Sequence, residues 1–195
     1  VEFIASENLK GVLALHSGSI WWGDRDSGGQ LDTNRNTLKT RMAYVDWNVP
    51  DTMLNLKLGL QMIGLPGAVA GSPVLNTPMA GVSASYQFTD YTSATLFWAR
   101  PWNNASDTVH DAWDMFGLIV PIGFDGFTIT PWGEFSLLGR NVEVRDNADT
   151  PIFGDSPFEK KAKMWHAGIA VDVEHWEPLF IKADFIWGQV RANEH

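Results

Sequence analysis

No cysteine occurs among the 195 residues, so no disulfide staples the chain, which suits an oxidising envelope compartment where stray thiols are a liability. No apolar run approaches the ~18 residues of a membrane helix. The longest lies around Gly117 to Phe124. That absence excludes helical spanning alone, because barrel strands need only about 9–11 residues each and stay polar on their inner face. Positive charge is also scarce, with 14 Lys and Arg against 23 Asp and Glu, a net charge of −9 that argues against nucleic acid as a partner. A phosphate-cradling loop is missing too. The glycines of D-S-G-G-Q and A-G-S-P lack the strand, helix and lysine setting that such a loop needs.

Aromatic residues, by contrast, are abundant. Ten Trp and eleven Phe accompany a mean hydropathy of only −0.12. Many sit near predicted strand ends, where an interfacial girdle would place them, and Trp21, Trp22, Tyr44, Trp98, Trp165 and Trp187 are the candidates. The competing reading is a Trp-rich soluble core or a sugar-binding surface.

The chain is organised around Met53 to Met62. In M-L-N-L-K-L-G-L-Q-M every even position from Leu54 to Met62 is apolar, and Asn55, Lys57, Gly59 and Gln61 fall between. Strict period two predicts a strand with one oily and one wet face. Similar segments cover Val1 to Ser6, Leu9 to Trp22, Leu38 to Trp47, Ala80 to Phe88, Thr92 to Arg100, Ala112 to Ile122, Phe127 to Leu138, Lys163 to Val173 and Phe180 to Val190.

Directly opposed residues of an antiparallel pair share a face, which makes each hairpin checkable. Opposing Arg41 to Gln61 sets Leu58 against Tyr44 and Leu60 against Met42 on the oily side, with Lys39, Arg41, Asn55, Lys57 and Gln61 on the inner face. Asp46 then falls on the oily side as a misfit. In the second hairpin Val82, Ala84, Tyr86 and Phe88 share a face with Ala94, Leu96 and Trp98. Farther on, Thr128, Thr130, Trp132, Glu134 and Ser136 point inward. The preceding strand is apolar on both faces, through a subunit contact, a bulge or packing in the lumen. Opposing Val173 to Ile181 sets Asp172 against Lys182 as an inward cross-strand ion pair.

Short turns near 7, 50, 90, 125 and 176 alternate with long segments near 30, 72, 107 and 150. Outer-membrane barrels segregate their turns this way, short ones toward the periplasm and long ones outside. Residues 64–79 hold three prolines, three glycines and no charge, a composition unsuited to a central strand and odd for a solvated loop. The segment is expected to fold inward and pack, with Gly71, Ser72, Pro73 and Asn76 as its candidates at a constriction.

Catalytic chemistry is weakly signalled. His16 beside Ser17, His110 near Asp111 and Asp114, and His166 near Asp172 show no recognised metal or nucleophile spacing. No enzyme, cofactor or metal is expected. The informative side chains are the inward bases Lys39, Arg41 and Lys57, which would order water and attract anions at a narrow place.

The segments T-L-K-T-R-M-A-Y-V-D-W at 37–47, G-L-P-G-A-V-A-G-S-P-V-L at 64–75, D-M-F-G-L-I-V-P at 114–121 and A-S-E-N-L-K-G-V at 5–12 resemble those of the outer-membrane homotrimeric porins of sulfate-reducing bacteria. The resemblance runs over most of the chain and identifies a scaffold rather than a solute. It implies a transmembrane antiparallel β-barrel of roughly sixteen strands, assembled as a homotrimer in the outer membrane of a Gram-negative cell. Small hydrophilic solutes and ions would cross by diffusion. About ten of those strands would lie in this chain, read as a single barrel domain that continues at both ends, with residues 64–79 matching the third external loop. That loop lacks acids here, so a transverse field would have to come from wall residues such as Glu134 and Asp172. The alternative class is a secreted Trp-rich β-sandwich that binds carbohydrate.

Overall fold

The computed structural model describes residues 1–17, 38–103, 112–139, 161–176 and 179–192. Within them the chain is all-β and forms one antiparallel sheet. Its strands are β1 (Glu2–Ser6), β2 (Leu9–Ser17), β3 (Leu38–Asn48), β4 (Leu54–Gly64), β5 (Asn76–Thr89), β6 (Thr92–Asn103), β7 (Ala112–Ile119), β8 (Ile122–Phe124), β9 (Phe127–Leu138), β10 (Ala162–Trp176) and β11 (Leu179–Ala192). Neighbours in the sheet are neighbours in the chain, except that the short β8 continues β7 and pairs with β6 and β9. Every second connection is therefore at the same end, and the short turns all lie opposite the long segments.

The β5–β6 hairpin shares faces as its alternation predicts, and the β10–β11 hairpin has the expected register. Val82 faces Trp98, Ala84 faces Leu96, and Val173 faces Ile181. Asp172 accordingly faces Lys182, whose Nζ donates to Oδ2 at 2.6 Å.

The β3–β4 register differs by one residue from the expected one. Ala43 pairs with Leu60, Val45 with Leu58 and Asp46 with Lys57. A one-residue slip moves every side chain of one strand to the other face. Asp46 thereby joins Lys57 instead of the oily side, and Tyr44 leaves the oily side for a place opposite Gly59. Two features favour this register. Asp46 gains polar partners, and Gly59, with φ of 126°, accepts a backbone approach that any Cβ would block, since one would lie 2.4 Å from the Ala43 carbonyl oxygen.

The expected strand Ala112 to Ile122 is broken after Ile119. Pro121 and Pro131 fall on adjacent rungs there, neither with an N–H to give the ladder, and the Val120 amide donates to the Pro131 carbonyl at 3.0 Å. The segment expected to be loop over 64–79 shrinks to 65–75, because Gly64 ends β4 and Asn76 to Met79 begin β5. Pro78 is tolerated in β5 because pairing with β6 starts only at Ala80.

The sheet is curved, and its curvature follows from one contact. The Ala68 and Val69 amides donate to Asp184 on β11 at 2.8 and 2.9 Å. Ala68 lies four residues past the end of β4, a reach of at most about 14 Å. A flat sheet would put β11, six strands along, about 29 Å away. An aspartate side chain cannot close that gap. The sheet curls toward segment 65–75, which crosses its concave face as a chord.

The core lies beneath that chord. Leu65 and Leu75 pack with Ile63, Met79, Phe97, Ala99, Met115 and Trp132, all buried. Trp113, Met115 and Ile119 are large apolar residues on the concave face of β7, so its double-faced apolar character is explained by packing under the chord. On the convex face large apolar side chains stand uncovered, among them Leu96 at 60%, Phe185 at 70% and Trp187 at 63% exposure.

Candidate functional site

The concave face carries two polar clusters, and the chord divides them. Segment 65–75 closes on itself at its base, where the Leu65 amide donates to the Leu75 carbonyl at 2.9 Å. Ser72 Oγ accepts from the Val74 and Leu75 amides at 3.2 and 3.3 Å, and Gly71 takes φ of 80°. Pro73 is exposed, whereas Asn76 belongs to β5 and pairs with Gly64. Between the chord and the wall lies a cavity of about 480 Å³, lined by Pro66, Ala68, Thr128, Thr130, Asp172 and Glu174 among others.

On one side of the chord, strands β2 to β4 present a mixed cluster. Asp46 lies 3.7 Å from Lys10 and 3.9 Å from Lys57, and Asn55 Nδ2 donates to its Oδ1 at 2.6 Å and to Asn48 Oδ1 at 2.8 Å. Farther along β4, Gln61 is buried and fully engaged. Its Nε2 donates to the Lys57 and Gly81 carbonyls, and its Oε1 accepts from Ser83 Oγ. Gln61 thus ties β4 to β5 instead of facing open space. Lys39 is exposed and stands opposite His16. Arg41 sits at a bulge, between the rungs Ala14 to Met42 and Leu15 to Thr40, with no partner in the β2–β3 register. The three bases expected as one group are therefore split, Lys57 in an ion cluster and Arg41 at an irregularity.

On the other side, β9 to β11 present Glu134, Asp172, Lys182 and Asp184. Glu134 is buried, accepts from Ser136 Oγ at 2.8 Å through Oε2, and bonds His166 Nδ1 through Oε1. A buried carboxylate is tolerable only with such partners. The arrangement differs from a nucleophile relay, because Ser136 is spent on the carboxylate and does not meet the imidazole. His166 lies over Gly188, where an added Cβ would sit 2.1 Å from the ring. Among the described residues no group of His, Cys, Asp and Glu is placed to hold a metal.

Sequence reasoning missed His166 as the partner of Glu134. Their opposition is set by the β9–β10 register, and those strands are joined by a long segment that gives no count of residues across a turn. It missed Asp184 as well, whose partners are backbone amides and leave no mark on side-chain chemistry.

The aromatic candidates separate by face. Trp165 and Trp187 pack edge to face on the convex side with centroids 4.8 Å apart, and Tyr44 does not join them. Trp98 is also convex, with its Nε1 donating to Asp114 Oδ1 at 3.0 Å, while Arg100 holds both oxygens of the same carboxylate at 2.9 and 3.0 Å. Toward the short-turn ends Trp47 and Tyr86 stand exposed on the convex side, while the exposed Phe180 shares the face of Lys182. Trp21, Trp22 and His110 lie outside the described residues, as do most of the long segments that contain them.

These features define the chain as an all-β protein built on one curved antiparallel sheet with a chord of its own backbone across the hollow. No family model, no curated protein and no solved structure matches the chain.

Proposed function

We propose that the chain forms part of the wall of an outer-membrane porin, a water-filled β-barrel through which ions and small hydrophilic solutes diffuse. The observation that carries this reading is the sorting of the two faces. A soluble sheet buries its apolar face, whereas here the convex face presents Leu96, Phe116, Leu118, Phe135, Ile169 and Phe185 uncovered. The concave face holds Asp46, Lys57, Glu134, Asp172, Lys182 and Asp184, and the convex Arg100–Asp114 pair lies near the long-segment ends of β6 and β7. An uncovered apolar face this extensive needs lipid or another protein against it, and lipid suits a meander whose turns are short at one end and long at the other. Two aromatic sets, Trp98, Trp165 and Trp187 toward the long segments and Trp47 and Tyr86 toward the short turns, fit the girdles of the two interfaces.

In this reading the hollow is the lumen and segment 65–75 is the constriction. Transport needs no catalytic step. Solutes are filtered by the gap beside the chord and by wall charge, basic around Lys10 and Lys57 and acidic around Asp172 and Asp184. The assembly would be a homotrimer in outer-membrane lipid, passing no nucleic acid. The carbohydrate-binding sandwich would require a second sheet against the convex face, and all the described strands lie in one sheet. The experiment is reconstitution of the full-length protein in a planar bilayer. Unitary current steps arriving in threes, with a reversal potential in a salt gradient, support the porin. A detergent-free monomer that gives no steps overturns it.

A further inference from the structure

We propose that Asp184 is the latch that fixes segment 65–75 across the concave face, and that this single carboxylate sets the width beside the chord. The consequence for conductance rests on the porin reading, whereas the latch itself does not. Segment 65–75 carries no charged side chain, so it has no ionic handle of its own. Its apolar anchors, Leu65 and Leu75, are buried at its two ends, next to the strands. Its tip is different. Val69 is 65% exposed, and Ala70 and Gly71 are exposed too, so little apolar burial holds the tip in place.

What reaches the far wall is backbone. Consecutive amides at Ala68 and Val69 point the same way and donate to separate oxygens of Asp184, at 2.8 and 2.9 Å. Two neighbouring N–H groups converging on one point make a concavity that seeks an anion. The local turn that aims them is tight. Gly67 lies so close to Gly71 that an added Cβ would be 2.4 Å from its carbonyl, and Gly71 has φ of 80°. A carboxylate matches this pair because it offers two charged acceptors and no donor. An amide offers one acceptor, and its NH2 would confront an N–H.

The surroundings leave Asp184 free for this task. It stands opposite the small Ala170, so nothing bulky intervenes on the neighbouring strand. Lys182, two residues away on the same face, is already bonded to Asp172 at 2.6 Å. The cavity of about 480 Å³ is roofed by Pro66 to Ala68, the backbone that the latch holds. Release of the latch would let that roof move.

The test uses the full-length protein in two measurements, with Asp184→Asn and Asp184→Glu compared to the wild type. Hydrogen exchange over residues 65–75 is expected to quicken about tenfold or more at Ala68 and Val69 in D184N, and to return toward the wild-type rate in D184E, which keeps both acceptors. In planar bilayers D184N is expected to show higher unitary conductance and greater open-channel noise, again reduced in D184E. Wild-type channels with no difference in D184N, in exchange or in conductance, would overturn the latch. Absence of channels in the wild type would overturn the porin reading alone, and exchange at Ala68 and Val69 would still decide the latch.

Discussion

Asp46 faces Lys57 across the β3–β4 ladder, and Lys10 approaches it from β2, so one carboxylate lies between two ammonium groups. Both lysines are well exposed, and pairs of that kind contribute about 0–1 kcal/mol each. Their importance is electrical rather than structural. Asp46→Asn keeps an acceptor for Asn55 and removes the negative charge between two positive ones. On the porin reading the expected outcome is a shift of the reversal potential toward anion preference in a salt gradient. The urea midpoint should move by no more than about 1 kcal/mol in stability.

The same pair marks the limit of what could be read from the residues. Alternation from Leu54 to Met62 predicts a strand with an oily face, and the Asp172 to Lys182 pairing follows from counting across a short turn. The β3–β4 turn defeats the count by one. Asp51 takes φ of 60°, the Val49 amide bonds the Leu54 carbonyl, and Thr52 Oγ1 donates to the Val49 carbonyl, so the turn spans Val49 to Met53, one residue further along than N-V-P-D-T. The opposition of Glu134 and His166 depends on a register that no short turn fixes. The Asp184 contact spans 116 positions and involves amides that every residue but proline possesses. Periodicity reports faces; it does not report which distant backbone a side chain will meet.

Gly59 provides a test of the observed register. Its φ of 126° and the closeness of the Ala43 carbonyl oxygen and the Tyr44 Cα, 2.4 and 2.9 Å from a would-be Cβ, leave no room for a side chain. The obstructing atoms are backbone and cannot swing aside. Gly59→Ala is expected to lower stability by at least about 1–3 kcal/mol, read as a fall in the urea midpoint of refolded protein. In the register expected from alternation alone, Gly59 would face Ala43 in an ordinary ladder. The same substitution would then be nearly silent.

Glu134 and His166 should behave as a unit. His166→Ala leaves Oε1 of a buried carboxylate without its donor, a loss of about 1–3 kcal/mol or more for a charged group. Replacing both partners by apolar residues, as in the Glu134→Leu, His166→Leu double variant, removes the need that the bond satisfies and should cost less than the sum of the two single changes. A double-mutant cycle on unfolding free energies measures the difference. Strict additivity would mean that the pair is incidental to the fold.

The assignment of the convex face to lipid makes its own demand on two positions of the same sheet. Leu118 is exposed on the convex face, opposite Leu96 on β6, in the middle of the apolar band. Thr130 is half-buried on the concave face, lining the cavity beside Asp172 and Glu174. An arginine on a lipid-facing strand near the bilayer midplane costs about 2–4 kcal/mol, whereas a lumen position tolerates it. Leu118→Arg is therefore expected to cut the fraction of protein that inserts and resists extraction from lipid vesicles. Thr130→Arg, which brings a cation toward two carboxylates, should insert as the wild type does and alter charge selectivity. A soluble protein with this face against solvent would respond in the opposite sense. Leu118→Arg would then improve solubility without detergent, and Thr130→Arg, placed under the chord, would be the damaging change.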